Sequence, residues 1–66
     1  MVKIMLKEIR AKRKITLRQL EAASGISLAA LSRIENGKVS PTIYELDRIA
    51  IALDVNLWDL IKFVKK

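Results

Sequence analysis

The chain contains no cysteine and no histidine. The first absence removes disulfide staples and thiolate chemistry, and the two together remove nearly every common zinc site. They also remove the usual general bases and the Cys and His members of nucleophilic constellations, and no base is positioned to activate a serine. Neither catalysis nor a metal, a cofactor or a small-molecule ligand is expected. Long apolar runs are missing too. The longest stretch without a charge, Ala22 to Ser32, is eleven residues, against the ~20 that a membrane-spanning helix needs. Lys3 and Lys7 interrupt what would be the apolar part of a secretion signal. A cytoplasmic protein with no membrane partner is the expectation. Its 66 residues make one domain, of a size that buries only about 60% of its unfolded surface, so packing or association must supply all the stability.

What is present is positive charge, unevenly spread. Residues 1–18 hold Lys3, Lys7, Arg10, Lys12, Arg13, Lys14 and Arg18 against Glu8 alone, which accounts for the whole net charge of +6. Residues 19–66 hold six basic and six acidic side chains and balance. Such an asymmetry fits a face that meets a polyanion, although a solvated basic helix would look the same.

The rare glycines and the single proline act as punctuation. Thr16 and Gln19 form a capping box that opens a helix, and Leu20 with Ala23 gives that helix an apolar side. The break falls at Ser24-Gly25-Ile26, where Gly25 can take the left-handed conformation that ends a helix. Ser27 is a good N-cap for the next helix, whose inward pair is Leu31 and Ile34, and Gly37 closes it. Two short helices joined by a three-residue, glycine-containing turn are the unit that sets a recognition helix in the DNA major groove. Pro41 forces a loop at Val39–Pro41. A second capping box, Thr42 with Glu45, opens a helix with the inward stripe Leu46, Ile49, Ala50 and Leu53. A first helix carries Leu6 and Ile9 inward, and Asn56 caps a last one. The pattern predicts an all-α domain of five helices and no strands, over about 3–12, 17–23, 28–36, 43–53 and 57–64, followed by a lysine tail.

With these elements in place, the chain resembles the phage-repressor type of helix-turn-helix domain, the Cro-like or xenobiotic-response-element family. The resemblance rests on Leu6, Ile9, Arg10, Thr16, Leu20, Gly25, Ile26, Ser27, Leu31, Ser32, the run Arg33-Ile34-Glu35-Asn36-Gly37-Lys38, and Pro41, Leu46, Ala50, Leu53, Leu57 and Leu60. It implies a DNA-binding transcriptional regulator. By position, Ser27, Leu28, Ala29, Ser32 and Arg33 would face base edges. Thr16, Leu17, Arg18, Asn36, Lys38, and the backbone amides of Thr42 and Ile43, would grip the sugar-phosphate backbone. Arg10 and Glu35 match a family pair that ties the first helix to the third.

The sequence departs from that family at three places. Leu17 stands where a phosphate-binding glutamine is usual. Glu21 replaces a small alanine and must turn to solvent or find a cation, Arg18 or Lys14 being nearest in sequence. Leu28 and Ala29 cannot hydrogen-bond a base and can only pack on a thymine methyl or exclude by shape. Arg33 is then the one strong reader, with Ser32 secondary and Ser27 mainly a cap.

Some apolar residues fall outside the core stripes. Ile51, Trp58, Ile61 and Phe63 form the candidate centre of a two-fold dimer through the last helix and the end of the fourth. The resulting reading is a dimeric repressor on an inverted-repeat operator. Two alternatives are a protein-interaction module of antitoxin type, using Leu17, Leu28 and Ala29 as an apolar patch, and a nonspecific nucleoid-type DNA binder.

Overall fold

The computed structural model describes residues 1–65, so Lys66 at the end of the lysine tail lies outside the described residues. In chain order the elements are β1 (Val2–Ile4), α1 (Leu6–Lys12), α2 (Leu17–Ser24), α3 (Leu28–Glu35), α4 (Ile43–Leu53), a single 3-10 turn (Leu57–Leu60) and β2 (Ile61–Phe63). Local hydrogen bonds set the starts of the three central helices. Thr16 Oγ1 accepts from Gln19 N at 3.1 Å while Gln19 Oε1 accepts from Thr16 N at 2.8 Å. Thr42 and Glu45 repeat the pair at 3.1 and 2.8 Å. Ser27 Oγ accepts from Ala30 N at 3.2 Å. Such caps satisfy donors that no helix can satisfy internally.

Three helix ends share one closure, with two backbone bonds and a left-handed residue between them. After α3, Gly37 at φ 72° is followed by Lys38 N donating to Arg33 O at 2.8 Å. After α1 the left-handed residue is Lys14 and after α4 it is Asp54, both at φ 57°. A side chain in that conformation costs about 1 kcal/mol. The return is packing, because the residues that follow, Ile15 and Val55, are turned onto the core.

That core draws on every helix and the 3-10 turn: Leu6, Leu20, Leu31, Ile49, Leu53 and Leu60 are fully buried, and Ile26 from the turn joins them. Ala23, expected inward on α2, is exposed, and Ser24 takes the buried place. The reason is local, since Ser24 Oγ accepts from Ile26 N at 3.2 Å and so shapes the turn. Among the described residues, no helix is long and apolar enough to cross a membrane.

The two ends of the chain differ from the expected helices. Residues 3–5 are not helical, and the last element is one 3-10 turn followed by a strand rather than a helix over 57–64. Val2-Lys3-Ile4 pairs antiparallel with Ile61-Lys62-Phe63, in the register Val2↔Phe63, Lys3↔Lys62, Ile4↔Ile61. An eight-residue terminal helix is marginal on its own. Pairing lets β-branched Ile4 and Ile61 pack on the core, while Met5 N donates to Leu60 O at 2.7 Å and fixes where α1 begins. One side of this sheet carries a local conflict, because Lys3 and Lys62 face each other directly. Lys3 leans on Glu8, at 3.4 Å. Hydrogen bonding to its own backbone, and then Lys3, hold the Glu8 carboxyl below its ordinary pKa.

Opposed like charges on paired strands are destabilising, and opposite ones contribute roughly 0.2–1 kcal/mol. Lys62→Glu should therefore raise the thermal midpoint by about 1–8 °C. A midpoint that falls or stays put would contradict the register.

Candidate nucleic-acid interface

The helix-turn-helix is built by the turn between α2 and α3. Gly25 sits at φ 75° and ψ 9°, a conformation with a steric cost for any other L-residue, and its N–H donates to Glu21 O at 2.9 Å. With Leu31 and Ile34 buried, the opposite side of α3 faces outward. Ala29, Arg33 and Asn36, at helical spacing, are exposed, as is Ser27 at its head; Ser32 and Leu28 are half-buried. Asn36 Nδ2 donates to Ser32 Oγ at 3.4 Å, which draws the serine hydroxyl toward the end of the helix.

Of the residues expected at the phosphate backbone, Thr16, Arg18, Asn36, Lys38, Thr42 and Ile43 are exposed and Leu17 is half-buried. The two capping boxes decide which amides remain available. Thr16 N and Thr42 N are already held by Gln19 and Glu45, so the expected anchor at the Thr42 amide moves along the chain. The next amides, of Leu17 and Arg18 on α2 and of Ile43 and Tyr44 on α4, have no partner within their helices. Each pair points out of the positive end of a helix dipole, which favours an anion. Tyr44, missing from the expected set, is 78% exposed beside Ile43. Its sequence signal is only its place two residues after the cap.

The basic surplus of residues 1–18 is not a single face. Lys3 pairs with Glu8, and Arg10 turns inward. Lys12 and Arg13 border a shallow depression with Val55 and Asp59, on the side of the 3-10 turn. Lys14, two residues before the cap of α2, and Arg18 in its first turn are exposed.

Arg10 instead forms a clip. Its Nη2 and Nε donate to Glu35 Oε1 and Oε2 at 2.7 and 3.2 Å, and its Nη1 donates to Ile15 O at 3.0 Å. The side chains are 19% and 6% exposed. One guanidinium thus joins α1, the segment leading into α2, and the last turn of α3.

Glu21 does something the sequence pattern does not announce. It neither turns wholly to solvent nor forms an ion pair with Arg18 or Lys14. Its Oε2 accepts from Leu28 N at 2.8 Å, the first amide of α3. A carboxylate at a helix N-terminus is worth roughly 0.3–1 kcal/mol. The partner is a backbone amide seven residues on, so no side-chain pairing rule could have found it.

The dimer candidates also separate. Ile51, Trp58 and Phe63 are 71%, 71% and 74% exposed, whereas Ile61 is half-buried against the core. Leu17 packs on the core and, like Leu28, is half-buried, so of the apolar patch Leu17, Leu28 and Ala29 only Ala29 is exposed.

Comparison with known proteins agrees with this architecture. Residues 6–57 match a family model described as helix-turn-helix. Two relatives come from Bacillus subtilis strain 168. The HTH-type transcriptional repressor RghR is 43% identical over 51 residues, covering 76% of this chain and 38% of RghR. An uncharacterized HTH-type transcriptional regulator, RghRB, is 45% identical over 51 residues, covering 76% of this chain and 37% of its own length. The chain thus spans under two fifths of the length of these curated relatives. Among solved structures, a candidate DNA-binding protein from Bacteroides fragilis superposes with a TM-score of 0.86 at 29% identity, over 94% of this chain and all of that one. The clp gene regulator ClgR from C. glutamicum gives 0.79 at 33% identity, over 83% of this chain and 71% of that one.

The clip yields a test. Removing one partner of a half-buried pair strands the other charge and costs about 3–5 kcal/mol, whereas apolar replacement of both costs far less. Glu35→Ala should lower the urea midpoint more than the double change Arg10→Met with Glu35→Leu. Equal or additive losses would contradict the clip.

Proposed function

Since the chain belongs to the helix-turn-helix family of phage-repressor type, a non-enzymatic family of regulators, we propose that it is a sequence-specific DNA-binding transcriptional repressor. Residues 1–66 act as one binding unit, and two copies occupy an inverted-repeat operator. The observation that carries the reading is the exposed set Ala29, Arg33 and the C-cap Asn36 along α3, together with the amides left open at the starts of α2 and α4. A stripe lying in the major groove puts those two helix ends against phosphates on either side.

Within that frame Arg33 is the strong reader. Its exposed guanidinium matches the O6 and N7 acceptors of guanine, a pair worth about 1–3 kcal/mol of discrimination. Ser27 and Ser32 add weaker contacts, and Leu28 and Ala29 contribute shape. Arg18 and Lys38, with the hydroxyls of Thr16 and Thr42, the Asn36 amide side chain and the open backbone amides of Leu17, Arg18, Ile43 and Tyr44, hold the backbone. Few base contacts per copy make pairing of two copies valuable, because linked half-sites combine their binding energies. Exposed Ile51, Trp58 and Phe63 supply apolar surface for that pairing and lie off the α3 stripe.

Selection of bound duplexes from a random library at near-physiological salt tests the reading. An inverted repeat with half-sites roughly 34–36 Å apart is expected. A pool that enriches nothing would favour a nonspecific binder or a protein-interaction module. Arg33→Ala should relax one base position per half-site, while Lys38→Ala should weaken all sequences evenly. The reverse pattern would exchange their roles. Trp58→Glu should leave the fold intact and make the protein monomeric in sedimentation; a variant still dimeric at low micromolar concentration would remove Trp58 from the interface.

A further inference from the structure

Glu21 places a negative charge at the head of the helix proposed to read DNA, where it suits the helix dipole but would stand close to a polyanion. Its Oε2 is fixed by the Leu28 amide at 2.8 Å. Its Oε1 takes part in no hydrogen bond or ion pair among the described residues. No buried side-chain nitrogen or oxygen there lacks a partner, so Oε1 keeps some contact with solvent on a half-buried residue. The capping need of α3 is also partly met by Ser27, which serves the Ala30 amide. The result is a carboxylate with one oxygen bonded to the Leu28 amide and the other left without a protein partner at the head of α3. The N-terminal residues of a recognition helix are the ones that meet base edges.

We propose that Glu21 is a specificity-determining residue, whose Oε1 accepts a hydrogen bond from the exocyclic N4 amine of a cytosine in each half-site. The inference rests on the DNA-binding reading above and deepens it. The choice of cytosine follows from the groove pattern. Guanine and thymine present acceptors at the corresponding edge, which repel a carboxylate. Adenine's N6 donor lies between two acceptors, its own N7 and the O4 of the paired thymine, whereas cytosine's N4 donor has an acceptor, the O6 of the paired guanine, on one side only. The alanine usual at this position in the family could offer no such contact, so Glu21 supplies part of the hydrogen bonding that Leu28 and Ala29 lack.

The test repeats library selection with the intact protein, Glu21→Gln and Glu21→Ala, each first shown to be folded by circular dichroism. The wild-type protein should enrich cytosine by about 10-fold at one position per half-site. Glu21→Gln keeps an oxygen for the Leu28 amide and presents an amine outward, so that position should shift toward guanine while the others stand. Glu21→Ala should lose the preference there alone. If both variants retain cytosine at every wild-type position, Glu21 is a helix cap and nothing more, and the proposal falls. If both lose preference at all positions together, it acts through the placement of α3 and again does not read. A wild-type pool with no enriched motif would overturn the DNA-reading function itself, and this proposal with it.

Discussion

The position of α3 depends on one guanidinium. α3 is eight residues long and buries only Leu31 and Ile34, which is little to fix a helix that must present an outward stripe in register. Arg10 supplies the missing constraint by holding the last residue of α3 and the carbonyl of Ile15 at once. The entry to α2 and the exit from α3 are thereby set relative to each other, and Asn36 and Lys38 follow directly from that exit. The charge on Arg10 is spent inside the fold. Net charge alone is a poor guide to an interface, because the same side chain counts toward the surplus and contributes nothing to the surface.

On the proposed reading, holding and reading are divided between different parts of the chain. The amide ends of α2 and α4 can hold a phosphate with no special side chain, which is why Leu17 at a position that favours glutamine does not dismantle the frame. Reading is thinner, since Arg33 is the one exposed cation on the stripe and its neighbours are small or apolar. Affinity built this way is weighted toward electrostatics and shape. Two copies acting together would recover selectivity that one copy lacks.

Most of the central fold could be read from residues three apart. Thr16 with Gln19, Ser27 with Ala30 and Thr42 with Glu45 are local hydrogen bonds, and they place the starts of α2, α3 and α4 as expected. The ends of the chain were illegible for the opposite reason. Three-residue strands carry almost no pattern, and Ile4 meets Ile61 only because the fold brings the termini together. At the site, exposure of Arg33 and Lys38 followed from helical spacing and turn position. The role of Glu21 did not, since its partner is a backbone amide that becomes available only after the turn has formed. Likewise, nothing short of the structure separates Ile61, half-buried, from Phe63 two residues on.

The central claim is that α3 and the open ends of α2 and α4 form one nucleic-acid face, distinct from the apolar surface around Trp58. Titrating the nitrogen-15-labelled protein with a short duplex tests it directly by amide shift mapping. The account predicts perturbations over residues 16–18, 27–33 and 36–44, with the indole N–H of Trp58 little changed by DNA. Perturbations centred on Ile51, Trp58 and Phe63, with α3 silent, would contradict it.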